Sequence, residues 1–398
     1  MSIDVLFVSY GGSHIHMLKD VYRLLQTKVS TTFLALTLAE DVMQTLRLPY
    51  VSLNEFADDL PLIYDTLDRF GIKGNQSENI YTGIGLSELE SNFGFEKAAA
   101  LYAELGRAVL CPRKLAEKIL VHFKPKIVVT SNMVRLARAM MAEANQLNIK
   151  TVFMEDAFCT PSHPFDKVAL SIRSVVSPDI VVDYLISMSP DVEDSIRENL
   201  TRNYIVNQPE IHALGNPNVE SSLNVKSQDN RFVPTEKYIL LLSNKYFRDE
   251  IVELLKEYCG ANPSVLLVIK IHPNETIEYY NSQFAQYENV SVVSDKSSLV
   301  PLIKAAEVIL ATNSTAAFEA HLLGKKIFCL NPMQSDYLID HYVKRGIGEN
   351  IQTSNELTRR IKEFEVESAD YSPQIKMTLG SVNKVFQFLL ELVNSYEK

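Results

Sequence analysis

Apolar residues in this chain fall into short unbroken runs, separated by stretches with helical spacing. Asp4 to Tyr10 (DVLFVSY) is one such run, Thr31 to Leu36 a second, and Tyr50 to Leu53 a short third. Amphipathic stretches from His14 to Leu25 and from Ala39 to Leu46 lie between them. Apolar runs of roughly four to eight residues read as strands covered on both faces. Their alternation with helices predicts a parallel sheet with crossover connections. From Glu55 to about Phe123 the period changes. Phe56, Leu60, Leu67 and Phe70, then Phe95, Ala99, Tyr102, Leu105 and Val109, predict a helical insertion, with a flexible glycine-containing link over Gly71 to Gly85. Strands resume at Ile127 to Thr130, Thr151 to Met154 and Ile180 to Ile186, with helices from Met133 to Leu147 and Ser189 to Arg202.

The segment Ala213–Leu214–Gly215–Asn216–Pro217–Asn218 is strong punctuation. Polar residues from Glu220 to Thr235 read as a linker. Beyond it, Tyr238 to Leu242, Val265 to Ile271, Val290 to Val293, Val308 to Ala311 and Lys326 to Leu330 predict a second parallel sheet with helices between the strands. A last helix, from about Ile375 to Tyr396, is long enough to cross back. A chain of 398 residues exceeds one ordinary core. The expected organisation is a first domain over 1–218 with an insertion at about 55–123, a second over 219–374, and a returning helix over 375–398.

Apolar residues make up 46% of the chain and charged residues 22%, as in soluble globular proteins. The formal charge of −10 argues against nucleic acid as a partner, which wants a basic footprint. Cys111, Cys159, Cys259 and Cys329 are scattered, which fits free thiols in a reducing compartment and suggests no metal site. The chain enters a strand at once after Met1–Ser2–Ile3–Asp4, and no apolar stretch approaches the roughly 20 residues of a membrane span. The expectation is a cytoplasmic protein, with room for peripheral association at the inner face of the membrane.

The chemistry-bearing residues cluster at predicted strand ends. The run from Val265 stops at Lys270–Ile271–His272–Pro273. Pro273 has no N–H for a ladder, so His272 is held at the strand's C-terminal end, where open α/β sheets bind ligands. An imidazole there can donate to a phosphate oxygen or protonate a leaving group. A histidine that merely closes a strand is the plainer alternative. Lys270 shares the sheet face of His272. Asn313–Ser314–Thr315 passes from a strand to a helix, where N–H groups and the helix dipole attract anions; ordinary N-capping uses the same residues. Glu319 lies one turn further along that helix, and a carboxylate suits the two hydroxyls of a diol. In the first half, Glu155–Asp156 closes a strand with adjacent carboxylates that can act as base or nucleophile. Gly11–Gly12–Ser13–His14 follows the first strand but lacks the third glycine of a GxGxxG loop. Asn244–Lys245 follows the first strand of the second sheet.

Lys270–Ile271–His272–Pro273 resembles the HP motif of bacterial capsule and lipopolysaccharide glycosyltransferases, a group containing polysialyltransferases and Kdo transferases. Asn313–Ser314–Thr315 resembles their Ser-Ser/Thr motif. Glu155–Asp156–Ala157 resembles their acidic motif, with Ala157 in place of a glycine. Leu214–Gly215–Asn216–Pro217 is similar to the end of the first domain in a wider set that includes CDP-glycerol transferases and UDP-GlcNAc 2-epimerases. The likeness covers the second domain in pattern and a few residues in identity.

The resemblance implies an α/β, GT-B-like fold: two doubly wound Rossmann-like domains facing across a cleft, with a C-terminal helix crossing back to the first. It implies transfer of a sugar, a CMP-activated ulosonic acid such as Kdo or sialic acid, onto an oligosaccharide or lipid-linked glycan acceptor of a surface polysaccharide. Glu155, Asp156 and His272 would then be catalytic. Lys270, His272, Pro273, Asn313, Ser314, Thr315 and Glu319 would surround the nucleotide, and Gly11, Gly12, Ser13, His14, Asn244 and Lys245 the acceptor or donor sugar. No metal or other cofactor is expected, because positive donors would neutralise the leaving phosphate. A UDP-sugar 2-epimerase and a transferase of polyol phosphate from CDP-glycerol share the architecture. Few arginines near the candidate sites count against the first, and the charge of −10 against the second.

Overall fold

The computed structural model describes residues 2–73, 76–155, 182–190, 209–224, 233–245, 247–272, 275–294, 299–312, 315–336, 342–344, 346–367 and 377–396. They form two compact units: one reaches Glu220 and takes in Thr378–Lys398, and the other is built from Ser221–Met377.

The first unit opens with β1 (Val5–Ser9), α1 (Ser13–Leu25), β2 (Thr31–Ala35), α2 (Ala39–Thr45) and β3 (Val51–Ser52). The helices α3 (Leu60–Arg69), α4 (Gln76–Phe93), α5 (Phe95–Leu105) and α6 (Arg113–Phe123) come next. Then follow β4 (Ile127–Thr130), α7 (Arg135–Gln146), β5 (Lys150–Met154), β6 (Tyr184–Ser187) and β7 (Glu210–Ala213). The seven strands pair in the order β3-β2-β1-β4-β5-β6-β7, all parallel. Alternate residues of β1 enter different cores. Leu6 and Val8 pack with Leu86 of α4, Ile119 of α6 and Met140 of α7, whereas Val5 and Phe7 pack with Leu18 and Val21 of α1. A strand buried on both faces has to be apolar at every position, which is why these runs were legible.

The second unit holds the end of α8 (Pro217–Asn224), then β8 (Tyr238–Leu242), α9 (Arg248–Ala261), β9 (Leu266–Lys270), α10 (Ile277–Gln283) and β10 (Val290–Val293). It continues through α11 (Leu299–Ala305), β11 (Val308–Ala311), α12 (Thr315–Leu322), β12 (Lys326–Leu330), β13 (Glu349–Ile351) and α13 (Ser354–Glu367). Its six strands run parallel in the order β10-β9-β8-β11-β12-β13. The last helix, α14 (Ser381–Ser395), belongs to the first unit. Val385, Leu389 and Val393 of α14 are fully buried in the α1 face of the first core.

Three sequence expectations are corrected. Of the flexible link expected over Gly71 to Gly85, the part from Gln76 is helix: α4 begins there and contains Gly83 and Gly85, and residues 74–75 lie outside the described residues. These glycines serve packing. A Cβ on Gly83 would meet Ile63 Cγ2 of α3 at 2.4 Å, and one on Gly85 would meet Leu110 at 3.2 Å. Glu220 does not open a linker, since it sits inside α8. Of the strand expected over Ile180 to Ile186, the first two residues lie outside the described residues, and among the described ones β6 begins at Tyr184, because Asp183 turns its carboxylate onto β5, accepting from Lys150 Nζ and from the N–H and Oγ1 of Thr151, each at 2.9 Å. β7 and β13 went unread because Glu210–Ile211–His212–Ala213 and Glu349–Asn350–Ile351 are polar edge strands. The helix expected over Ser189 to Arg202 falls largely outside the described residues.

The Gly215–Asn216–Pro217 segment has a mechanical role. Gly215 adopts φ +97°, and a Cβ there would lie 2.2 Å from Thr378 O, so only glycine lets the returning chain pass. Buried Asn216 caps α8, its Oδ1 accepting from Asn218 N at 3.0 Å and Val219 N at 3.2 Å, and Pro217 fills the first helical position, which lacks a partner for an N–H anyway. One turn on, Glu220 reaches the start of α14. Gly380 N donates to its Oε1 at 2.8 Å, and Ser381 N and Oγ donate to its Oε2, the backbone bond at 2.7 Å. Burial disfavours the charged carboxylate, but the bonds from Ser381 and Gly380 and the nearby Lys384 outweigh it, so the group titrates below its ordinary range.

Glu220→Ala is expected to lower stability by about 1–2 kcal/mol, because the first N–H groups of α14 lose their acceptor. A depressed carboxyl stabilises the fold above its unfolded pKa and loses that contribution as pH falls. The gap between wild type and Glu220→Ala in thermal melts should therefore narrow from pH 6 to pH 3; an unchanged gap would remove the carboxylate from the account.

Candidate functional site

In each sheet the chain order reverses once, and loops on either side of such a switch point diverge and leave a crevice at the carboxyl ends of the strands. In the second unit the reversal lies between β8 and β11. Lys270, Leu242 and Ala311 sit in register across β9, β8 and β11, so the segments that follow them emerge side by side. Those segments are Ile271–His272, Ser243–Asn244–Lys245, and Thr312 leading to α12. Pro273, Asn313 and Ser314 lie outside the described residues, and of Thr315 only its place at the start of α12 is described.

A closed hydrogen-bond network surrounds His272. Its N–H donates to Ser243 Oγ at 2.9 Å, and the Ser243 hydroxyl donates to Glu275 Oε2 at 2.5 Å. Tyr280 of α10 donates its hydroxyl to Glu275 Oε1 at 2.8 Å, and Glu275 N–H donates to His272 O at 2.9 Å. Ser243 N–H donates to Lys270 O at 3.1 Å, tying β8 to β9 at this edge. The imidazole is half-buried. Burial lowers its pKa; the carboxylate of Glu275 pulls the other way, and the ammonium groups of Lys270 and Lys245 lower it further. At neutral pH His272 is therefore an uncharged ring with two cations in its field. Lys270 is 7% exposed and donates to Ile271 O at 3.2 Å, whereas Lys245 is exposed.

Glu319 sits on α12 among buried Ala317, Phe318 and Ala320. Burial pushes its carboxyl up to about 7, partly offset by a hydrogen bond with Ser222 of α8. The group is thus about half ionised at neutral pH. Two residues along, His321 is fully buried and burial lowers its pKa, against a hydrogen bond to the backbone of Ile347.

In the first unit the reversal lies between β1 and β4. His14, at the start of α1, meets the segment after β4: Asn132 Nδ2 is 3.0 Å from its Nε2, and Ser131 Oγ is 3.4 Å from its Nδ1. An amide N–H can only donate, so Nε2 accepts and the ring proton sits on Nδ1. The Gly-Gly pair before it has a steric reason: a Cβ on Gly11 would stand 2.4 Å from Leu38 Cβ, and Gly12 has φ +73°. Ser13 contributes its backbone to α1; its side chain is outside the described set. Tyr10, just before this loop, is buried. Its hydroxyl accepts from Leu136 N at 3.1 Å, its ring lies 5.2 Å from the Arg135 guanidinium, and Tyr81 of α4 packs edge-on at 5.8 Å. Half-buried Glu155 follows β5, the neighbour of β4, with its N–H on Ile186 O at 2.9 Å. Asp156 lies outside the described residues.

Sequence reasoning missed Ser243, Glu275, Tyr280, Ser131 and Asn132. The usable signals were a carboxylate three residues after His272 and the short polar segments that close β4 and β8. Among the described residues no cluster of His, Cys, Asp or Glu could hold a metal ion, and no helix is long and apolar enough to cross a membrane.

No family profile and no curated protein sequence matches the chain. Solved structures do. UDP-GlcNAc 2-epimerase from Neisseria meningitidis bound to UDP-GlcNAc is 16% identical with a TM-score of 0.64, over 99% of this chain and 100% of that one. The Methanocaldococcus jannaschii enzyme of that name, in complex with UDP-GlcNAc and UDP, is 16% identical with a TM-score of 0.61, over 98% and 99% of the two chains. A glycosyltransferase from Rickettsia africae is 11% identical with a TM-score of 0.52, over 99% and 94%. At these identities the likeness fixes the fold: an α/β, GT-B-like chain with two doubly wound parallel sheets.

Glu319 yields a prediction on its own. Unfolded, its carboxyl ionises near 4.5; folded, near 7. A raised carboxyl leaves stability intact below about pH 4.5 and subtracts from it as pH rises from there to about 7, by on the order of 3–3.5 kcal/mol at about 1.4 kcal/mol per pH unit. Glu319→Gln should melt with wild type at pH 4 and above it at pH 8. Equal melting at both pH values would mean that the carboxyl is not desolvated.

Proposed function

We propose that this chain is a glycosyltransferase that takes a nucleotide-activated sugar as donor and holds its phosphate at the β9-β8-β11 edge. The observation that carries the reading is His272, an uncharged imidazole at a strand's carboxyl end, in the field of Lys270 and Lys245. A departing nucleotide develops negative charge on its phosphate. Two ammonium groups and the start of α12 oppose that charge, the task a metal ion has in other transferases, while the imidazole donates its N–H. Glu319 accepts the ribose hydroxyls, and nucleotide binding favours its ionised form. The HP and Asn313–Ser314–Thr315 patterns support a CMP-activated ulosonic acid as donor. Glu155 and Asp156 are the carboxylates that receive the proton of the acceptor hydroxyl, or the sugar itself if the transfer retains configuration. The acceptor is an oligosaccharide or lipid-linked glycan, met at the inner face of a membrane.

A second reading has one observation in its favour: full-length structural likeness to epimerases solved with UDP-GlcNAc. On that reading the same edge holds UDP, and the reaction inverts C2 of the sugar without an acceptor.

Three experiments decide between them. CMP at about 100 times its dissociation constant should stabilise the protein by about 2.7 kcal/mol, and His272→Ala should slow CMP release from a CMP-activated ulosonic acid by about 10²–10⁴-fold with the fold intact. Incubation with UDP-GlcNAc in deuterated water should leave C2 unlabelled. Label at C2 would establish the epimerase instead, and no stabilisation by CMP, CDP or UDP would sink both readings.

A further inference from the structure

We propose that Glu275 is a positioning residue that locks the turn carrying His272. The proposal rests on the reading of His272 as the leaving-group residue and adds what holds it. A serine hydroxyl has one proton and two lone pairs. Glu275 takes that proton at 2.5 Å, which fixes the Ser243 rotamer and turns a lone pair towards the His272 N–H at 2.9 Å. The second carboxylate oxygen accepts Tyr280 Oη–H at 2.8 Å, so α10 sets the carboxylate's own orientation. Glu275 N–H closes the ring on His272 O at 2.9 Å. Ser243 is 4% exposed and Tyr280 2%, so water competes poorly for these bonds. Three separate pieces of chain, the end of β8, the end of β9 and α10, thus meet on one carboxylate. Without it the Ser243 hydroxyl is free to turn its proton elsewhere, and the backbone of His272 loses its directed acceptor.

The charged groups that act on the imidazole are Glu275 on its own turn, Lys270 on β9 and Lys245 after β8. Their signs allow a test that needs no substrate. The titration of His272 is followed by carbon-13 NMR in the free protein, alongside kcat and KM for CMP release from CMP-sialic acid. Glu275→Gln should lower the His272 midpoint by about half a pH unit or more, because it removes the anion that raises it. It should lower kcat about 10- to 100-fold with KM within about threefold, as expected of a misaimed group. Ser243→Ala, which keeps the carboxylate, should lower kcat similarly, and the double variant should be no worse than the poorer single one.

An unmoved His272 midpoint, wild-type kcat in either variant, or multiplying losses in the double variant would each overturn the positioning role. If Glu275→Gln fails to fold, Ser243→Ala and Tyr280→Phe decide by the same kcat criterion. If no turnover of CMP-sialic acid is found even in wild type, the function reading falls while the NMR titration still decides for or against Glu275.

Discussion

Both units depend on one constraint: a parallel sheet has to be covered on both faces. Every interior position of β1, β4, β8 and β11 is therefore apolar, and the strand faces have no room for chemistry. The amino ends of the strands are taken up by returning helices. Polar side chains of use to a ligand are left with the carboxyl edge, and within that edge the reversal of strand order opens the widest gap. His272, Ser243, Lys245 and α12 in one unit, and His14, Ser131 and Asn132 in the other, occupy equivalent places for this reason.

The same residue type behaves differently according to what surrounds it. Glu220 and Glu88 both accept backbone N–H groups at the start of a helix. Glu220 is held below its ordinary pKa, because three donors and a lysine outweigh its modest burial. Glu88 accepts from Arg113 N at 2.7 Å and Lys114 N at 3.1 Å, yet its carboxyl titrates higher than usual because it is more deeply desolvated. Glu319, deeply buried and hydrogen-bonded to Ser222, is raised further than Glu88. Ranking desolvation against donor count settles each case, and neither factor alone would.

What was legible in the sequence follows the same physics. Central strands announce themselves because burial on both faces leaves no alternative to apolar residues. Edge strands such as β7 and β13 need cover on fewer sides and carry Glu210, His212 and Glu349 instead. Gly83 and Gly85 look like a break in the helical pattern because the sequence does not show that Ile63 and Leu110 lie against them. His272 stood out because Pro273 ended its strand. Glu275 did not, because its partner Ser243 lies 32 residues upstream and only the fold brings them together. Parity along β9 put Lys270 on the face of His272, but its burial depends on neighbours from other strands.

The return of α14 bears on how this protein is made. Val385, Leu389 and Val393 complete the core over Val5, Phe7 and Val21, yet they follow the whole second unit in the chain. At about 5–20 residues per second, the 161 positions between Glu220 and Ser381 correspond to roughly 8–30 s of translation. For that interval a nascent first unit lacks the apolar stripe that completes its core beside α1, while the second unit can already close. The ribosome therefore delivers the two halves in one order, and their cores can be completed only in the other.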